Sequence, residues 1–485
     1  MSLRGTNVLV LGMGETGFSM VKWLLRAGAH VCAADSREIP PCLESIREIL
    51  PGSAIYTGGF APEAFANIEL VAISPGVALT ETAVQQAACR GVRLLGDMEL
   101  FALAIEELPN PKPKIVAITG SNGKTTATAM VGAMIKNAGW DAEVAGNISP
   151  AVLNVFMERL DSGKLPQAWV LELSSFQLEA THNFYADAAA VLNLSEDHFD
   201  RYVGMQDYAR AKARIFRDKA SPDGQPNGGV QVINRDDALV RKMALSGRKH
   251  ITFGLDLPPG EGDFGLFRDG KDTWLMQGNI RLMTASELRV SGLHNVANAL
   301  AALALCRALA LPFEPLLRAL RQFKGLPHRM ERVAAFGGVC FYDDSKGTNV
   351  GATVAALNGA SETVVLIAGG DGKGQDFTPL VAPVAGHARA VVLIGRDAGR
   401  ISDVLRHSGI PLHFAETMEE AVRTSFLLAR EGDAILLSPA CAIFDMFKNY
   451  VHRAQSFNAA IKRIQKENRA TIAAHRADDL SAGYQ

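Results

Sequence analysis

Short runs of apolar, often β-branched residues recur along this chain, and between them apolar positions return at helical spacing. The first run is VLVL at 8–11; a glycine turn follows it, then a helical pattern over 17–27. Residues 31–34 form the next predicted strand, ended by Asp35, and 70–73 another, before Ser74-Pro75-Gly76. A proline-rich stretch at 108–113 breaks the pattern. Beyond it, a strand at 115–119 feeds a second glycine loop and a helix over 125–138, with strands following at 169–173 and 189–194. Residues 222–270 are rich in Gly, Asp and Pro and read as turns or a small β excursion. A strong helix covers 297–309, a second break falls near Gly325-Leu326-Pro327, and strands at 364–368, 390–394 and 434–437 mark a third region. Apolar strands alternating with helices predict parallel sheets covered by helices.

At 485 residues the chain has room for about three domains of roughly 150 residues each. The breaks place them at 1–108, 109–325 and 326–485, with a flexible tail expected from about 469, where the composition turns small and polar. A net charge of -2 offers no basic surface for nucleic acid or anionic lipid. The start, MSLRGTNVLVLGMGETG, reads as a buried strand rather than a signal peptide or membrane span. The six cysteines are scattered without a C-x-x-C pair, so neither a zinc site nor a disulfide framework is expected, only buried reduced thiols.

Two loops carry phosphate chemistry. Residues 12–17, GMGETG, match G-x-G-x-x-G between a strand and a helix, and Asp35 ends the second strand where a ribose-binding acid would sit. That pattern reports a diphosphate on a helix N-terminus, in a nicotinamide dinucleotide or in a nucleotide sugar. The second loop, TGSNGKTT at 119–126, departs from the strict P-loop because Ile118 stands where the first glycine belongs. Gly120, Ser121, Asn122 and Gly123 can still point N–H groups at phosphate oxygens, Lys124 can reach the terminal phosphates, and Thr125, before Thr126, can hold Mg²⁺. The plain alternative is a tight turn with an exposed lysine.

Glu172 ends an apolar strand, where a carboxylate is costly without a cation, so it is a candidate Mg²⁺ ligand or else a hydrogen-bonded structural acid. His198 follows another apolar strand and shares its end with Asn193 and Asp197. Lys212, in YARAK at 208–212, reads from its residues as a solvated helix lysine. In the third region, DDSKGTN at 343–349 and GGDGKG at 369–374 are polar turns at strand ends, each with a lysine that could meet an anion.

TGSNGKTT (119–126), ELSSFQLE (172–179), NLSEDHFDRY (193–202), SGLHN (291–295), GLPHRME (325–331), DDSKGTN (343–349), GGDGKG (369–374) and LLSPACAIFDMFKNY (436–450) resemble, in order, the signatures of the Mur ligase family. The resemblance spans about 7–468 and is closest to members that add D-glutamate; no Asp-Asn-Pro-Arg run of the diamino-acid-adding members occurs. It implies a Rossmann-like first domain, a P-loop-type ATPase in the middle and a Rossmann-like third domain. It implies ATP-dependent joining of D-glutamate to UDP-N-acetylmuramoyl-L-alanine through an acyl phosphate, with Mg²⁺, in a cytoplasmic, monomeric enzyme of cell-wall precursor synthesis. Gly14, Thr16, Asp35, Arg37, Gly76, Asn147 and Ser174 would hold the UDP substrate. Gly120 to Thr126, Asn295, Arg329, Asp344 and Lys346 would address ATP; Thr348, Lys373, Ile443 and Tyr450 the amino acid. Thr125, Glu172, His198 and a carbamylated Lys212 would ligate metal, so Lys124, Glu172, His198 and Lys212 carry the chemistry. Two departures stand out: Ile443 replaces the serine of SPACAS, and Ser149 replaces the last glycine of GNIG. The rival expectations are a folate-glutamating ligase, which shares the central chemistry, a nicotinamide-dependent oxidoreductase resting on the first loop alone, and a scaffold without activity.

Overall fold

The computed structural model describes residues 3–217, 228–442 and 445–482, with backbone only from 469. It packs as two compact units, one of Met1–Leu194, Val203–Glu287 and Ala297–Gln322, the other of Ser195–Tyr202, Leu288–Val296 and Phe323–Gln485.

The first unit holds two sheets. The apolar runs near the start form β1 (Asn7–Leu11), β2 (His30–Ala34), β3 (Ile55–Tyr56), β4 (Leu70–Ile73) and β5 (Arg93–Gly96), all parallel in the order β3-β2-β1-β4-β5. β1 is flanked by β2 and β4, so the chain reverses direction across the sheet beside it. In such sheets a crevice opens at the carboxyl ends of the strands there, and the 12–17 loop leaves β1 at that point. The second sheet comprises β6 (Lys114–Thr119), β7 (Ala142–Gly146), β8 (Ala168–Glu172), β9 (Ala188–Val191), β10 (Val230–Asn234), β11 (His250–Phe253), β12 (Phe264–Asp269), β13 (Asp272–Gln277) and β14 (Ile280–Thr284). Its order is β14-β13-β12-β11-β10-β9-β6-β8-β7. Pairing is parallel from β7 to β12 and antiparallel beyond. β6 lies between β8 and β9, a second such reversal.

The stretch expected to be turns or a small β excursion contributes β10, β11 and β12 to the main sheet, with 218–227 outside the described residues. Its Gly, Asp and Pro sit between short strands, so their composition masks the apolar runs they separate. The helix Asp97–Glu106 joins the two sheets. Phe101 meets Trp169 edge-on at 5.1 Å and Phe156 at 5.5 Å, all three rings buried.

The second unit is one sheet of β15 (Glu331–Phe336), β16 (Val339–Asp343), β17 (Val364–Gly369), β18 (Ala388–Ile394), β19 (Leu412–Phe414) and β20 (Ala434–Leu437). The order is β15-β16-β20-β17-β18-β19, parallel except for β15. A helix, Tyr450–Ala482, closes the chain; its backbone stays helical through the stretch whose composition suggests a loose tail. Cys306 and Cys441 are buried, but Cys89 is exposed and the other three cysteines are only partly covered. Among the described residues, no helix is long and apolar enough to cross a membrane.

Candidate active site

The Lys124 loop is stabilised before any ligand arrives. Lys124 Nζ donates to the carbonyls of Gly120 at 2.8 Å and Ser121 at 2.9 Å. Asn193, from the end of β9, clamps the turn: its Oδ1 accepts from Asn122 N–H at 2.8 Å and its Nδ2 donates to the Asn122 carbonyl at 3.0 Å. Gly123 has φ +81°, and a Cβ there would lie 2.3 Å from Asn298 Oδ1, so only glycine lets the helix Lys124–Asn137 start here. The motif is therefore a turn held in shape by the Asn193 side chain, with its lysine on the loop carbonyls rather than loose in solvent.

Glu172 ends β8, in register with Ile118 of β6, one strand over from the loop. It is 2 % exposed; Oε1 accepts from Asn147 Nδ2 at 2.9 Å, while Oε2 has no hydrogen bond. A dry carboxylate oxygen left open beside a phosphate loop fits a cation ligand. Lys212 corrects the solvated-lysine reading: it is 1 % exposed, on the inner face of the helix Gly204–Ala213. Its Nζ donates to the Gly120 carbonyl at 2.8 Å and lies 3.3 Å from Thr119 Oγ1, over the Tyr208 ring. Helical phase, invisible in composition, turned it inward.

In the first loop the charge is arranged differently. Asp35 is buried, and its oxygens accept from Met13 N–H at 2.7 Å and from Arg37 N–H, Nε and a terminal nitrogen at 2.9, 2.8 and 2.7 Å. Burial alone would push this carboxyl up, but the Arg37 guanidinium and the two backbone donors outweigh it and hold it below the usual range. Beyond the loop a cleft of about 170 Å³ is lined by Thr16, Gly76, Asn147, Ser149 and Gln177, among others. Ser174 caps the helix Ser175–Glu179 through a reciprocal box with Gln177. Gly14, Asp35, Arg37, Thr16, Gly76, Asn147 and Ser174 thus share a unit with Lys124, Thr125, Thr126, Glu172 and Lys212.

His198, Asn295, Arg329, Asp344, Lys346, Thr348, Lys373 and Tyr450 belong to the second unit. There the loops after β16, β17 and β20, neighbours in the sheet, are knitted together. Ala440 N–H donates to the Gly347 carbonyl, Gly369 N–H to Pro439, and Asp371 pairs with Ala442. Asp344 accepts from Ser438 Oγ at 2.8 Å, and burial pushes its carboxyl up to about 7. Lys373 Nζ lies 3.3 Å from Asp197 Oδ1, which also accepts from His198 N–H at 3.0 Å. Lys346 sits 3.8 Å over the Tyr450 ring. Ile443 falls outside the described residues.

Family models match the Mur ligase MurD-like N-terminal domain over 6–96, the Mur ligase middle domain over 118–306 and the Mur ligase glutamate ligase domain over 328–441. A protein of Nitrosospira multiformis, UDP-N-acetylmuramoylalanine–D-glutamate ligase, is 63% identical over 465 residues, 96% of this chain and 97% of its own. One of the same name from Nitrosomonas europaea is 58% identical over 467 residues, 96% and 98% of the two chains. The chain belongs to the Mur ligase family. The crystal structure of UDP-N-acetylmuramate–alanine ligase from Thermotoga maritima has the same fold at TM-score 0.59 and 20% identity, covering 95% of this chain and 99% of that one. Folylpolyglutamate synthase from Mycobacterium tuberculosis is alike in fold at TM-score 0.53 and 16% identity, over 70% and 91%.

The chain carries side chains to which motif reading gave no role. Asn298 packs against the phosphate turn, Asn193 clamps it, and Gln177 lines the cleft. Asn193 and Gln177 lie inside recognised motifs, where a strand-end amide and a capping-box glutamine were the available signals; Asn298 sits mid-helix and gives none. Arg453, 1 % exposed on the last helix, donates to the Ser345 carbonyl at 2.8 Å and the Cys441 carbonyl at 3.3 Å, bracing two of the second unit's loops. The departure at Ser149 is used: its Oγ donates to Glu15 of the first loop at 2.9 Å.

Proposed function

We propose that this Mur ligase joins D-glutamate to UDP-N-acetylmuramoyl-L-alanine with ATP, releasing ADP and phosphate. The relatives at 63% and 58% identity are named as ligases of those two substrates, and the observation that carries the chemistry is the open Oε2 of buried Glu172 beside the Lys124 turn. A carboxylate is a poor acyl donor because oxide would have to leave. The alanyl carboxylate attacks the γ-phosphorus, the bond to ADP breaks, and the acyl phosphate then offers phosphate as leaving group. The amine of D-glutamate attacks the acyl carbon, loses a proton, and the tetrahedral adduct collapses to amide and phosphate.

Lys124 gives up its loop carbonyls to meet the transferring phosphoryl, where its charge counts most. Thr125, Glu172, His198 and Lys212 as a carbamate would hold Mg²⁺, which when bound offsets phosphoryl charge. The Gly14 loop, Thr16, Arg37, Gly76, Asn147 and Ser174 would seat the UDP substrate, with Asp35 fixing loop and guanidinium. Asn295, Arg329, Asp344 and Lys346 would take the nucleotide, and Thr348, Lys373, Ile443 and Tyr450 the amino acid. We place the enzyme in the cytoplasm as a monomer in three domains, 1–108, 109–325 and 326–485.

The test is phosphate release across acceptors and amino acids. Release that requires UDP-N-acetylmuramoyl-L-alanine and D-glutamate together is expected. Preference for a folate acceptor, or no release with any pair, would reject the reading.

A further inference from the structure

The helix Asp97–Glu106 begins where the first sheet ends, and its first residue faces away from water. Asp97 is 2 % exposed, and its Oδ2 accepts from Gln177 Nε2 at 2.8 Å, across the joint between the two sheets. Gln177 lines the cleft that also contains Thr16, Gly76 and Asn147. The rest of that side chain is committed as well. Its Oε1 accepts from Ser174 N–H at 3.1 Å and lies 3.3 Å from Ser174 Oγ, which accepts from Gln177 N–H at 3.1 Å.

An ionised carboxylate only accepts. Facing Asp97, the Gln177 amide must therefore present its nitrogen to the acid and its oxygen to Ser174. The flipped amide would set oxygen against carboxylate between two buried side chains. The arrangement is costly to maintain: among the described residues Asp97 Oδ1 has no hydrogen-bond partner, and burial outweighs the Gln177 hydrogen bond and pushes the carboxyl up to about 6. An apolar residue at this position would pack at lower cost.

We propose that Asp97 is a positioning residue for the acceptor: by fixing the Gln177 amide it sets one wall of the cleft and the orientation of the Ser174 hydroxyl. The inference rests on the ligase reading above and adds a residue from outside the recognised motifs.

Steady-state phosphate release tests it, with UDP-N-acetylmuramoyl-L-alanine, ATP and D-glutamate varied in turn. Asp97→Ala should raise the KM for the acceptor about tenfold and leave the KM values for ATP and D-glutamate within about twofold. Asp97→Asn, whose oxygen can still accept from Gln177, should recover most of the loss. Asp97→Leu has the branched shape of aspartate without an acceptor and leaves no cavity, so it should raise the acceptor KM about as much and gives the reading if Asp97→Ala does not fold. The double variant Asp97→Ala with Gln177→Ala should be no worse than Gln177→Ala alone, because the acid acts through the amide. An unchanged acceptor KM in both Asp97→Ala and Asp97→Leu, or a parallel rise of all three KM values, would overturn the inference while leaving the ligase reading intact. A wild-type chain that released no phosphate with these substrates would remove the reading and the inference together.

Discussion

The 12–17 and 119–126 loops follow the same backbone plan: a buried parallel strand at a sheet reversal, a glycine turn, then a helix. Their side chains do opposite things. In the first, the strongest charges cancel within the protein, because Asp35 binds Arg37 and the Met13 N–H. In the second, a lysine is parked on its own loop carbonyls and can leave them for a stronger acceptor. On the proposed function, glycine spacing locates each seat for phosphate, and the neighbouring charges decide whether phosphate is held or also attacked.

The sharpest way to break this contrast is Lys124→Ala. Phosphate release should fall by at least about a thousandfold, while calorimetric binding of the UDP substrate stays within about twofold; equal damage to both would mean the loops are not separate seats. Next in size is Gly17→Ala. Its Cβ would lie 1.7 Å from the Gly12 carbonyl oxygen, so the start of the helix must move. The acceptor KM should rise at least about tenfold and the ATP KM hardly change; a larger effect on ATP would reverse the assignment.

Arg37→Ala is smaller and dependent on pH. Asp35 is held below its ordinary 3.8 in the folded chain, so its stabilising contribution is present above about pH 4 and is lost as pH falls through the folded value. The difference in urea midpoint between wild type and variant should be clear near pH 7 and shrink near pH 3. A gap of constant size would show that the ion pair is not its source. The smallest effect belongs to Ser149→Ala, which removes one exposed hydrogen bond to Glu15: less than about threefold in acceptor KM, and a tenfold rise would make Ser149 a substrate contact.

Much of the fold was legible because its strands are continuous apolar runs, as strands buried on both faces must be. β10 to β12 were legible only as turns or a small β excursion, because turn residues crowd short strands and the period is lost. In the candidate site, the Lys124 turn could be read because its residues are local: glycine, lysine and threonine lie within one turn. Lys212 was misread from its residues alone because which side of a helix faces the core depends on what the helix packs against. Asp97 was passed over because its partner, Gln177, is far away in sequence.

By itself the sequence determined the α/β class, the two glycine loops and the order of the motifs, since each depends on hydrophobic period and on residues within a few positions of one another. Only the tertiary structure decided which charges are spent and which are open: that Asp35 is satisfied, that Glu172 keeps a bare oxygen, that Lys212 is dry and that Asp97 orients Gln177. Burial and long-range hydrogen bonding set those states, and both arise from the whole chain closing on itself rather than from any stretch of it.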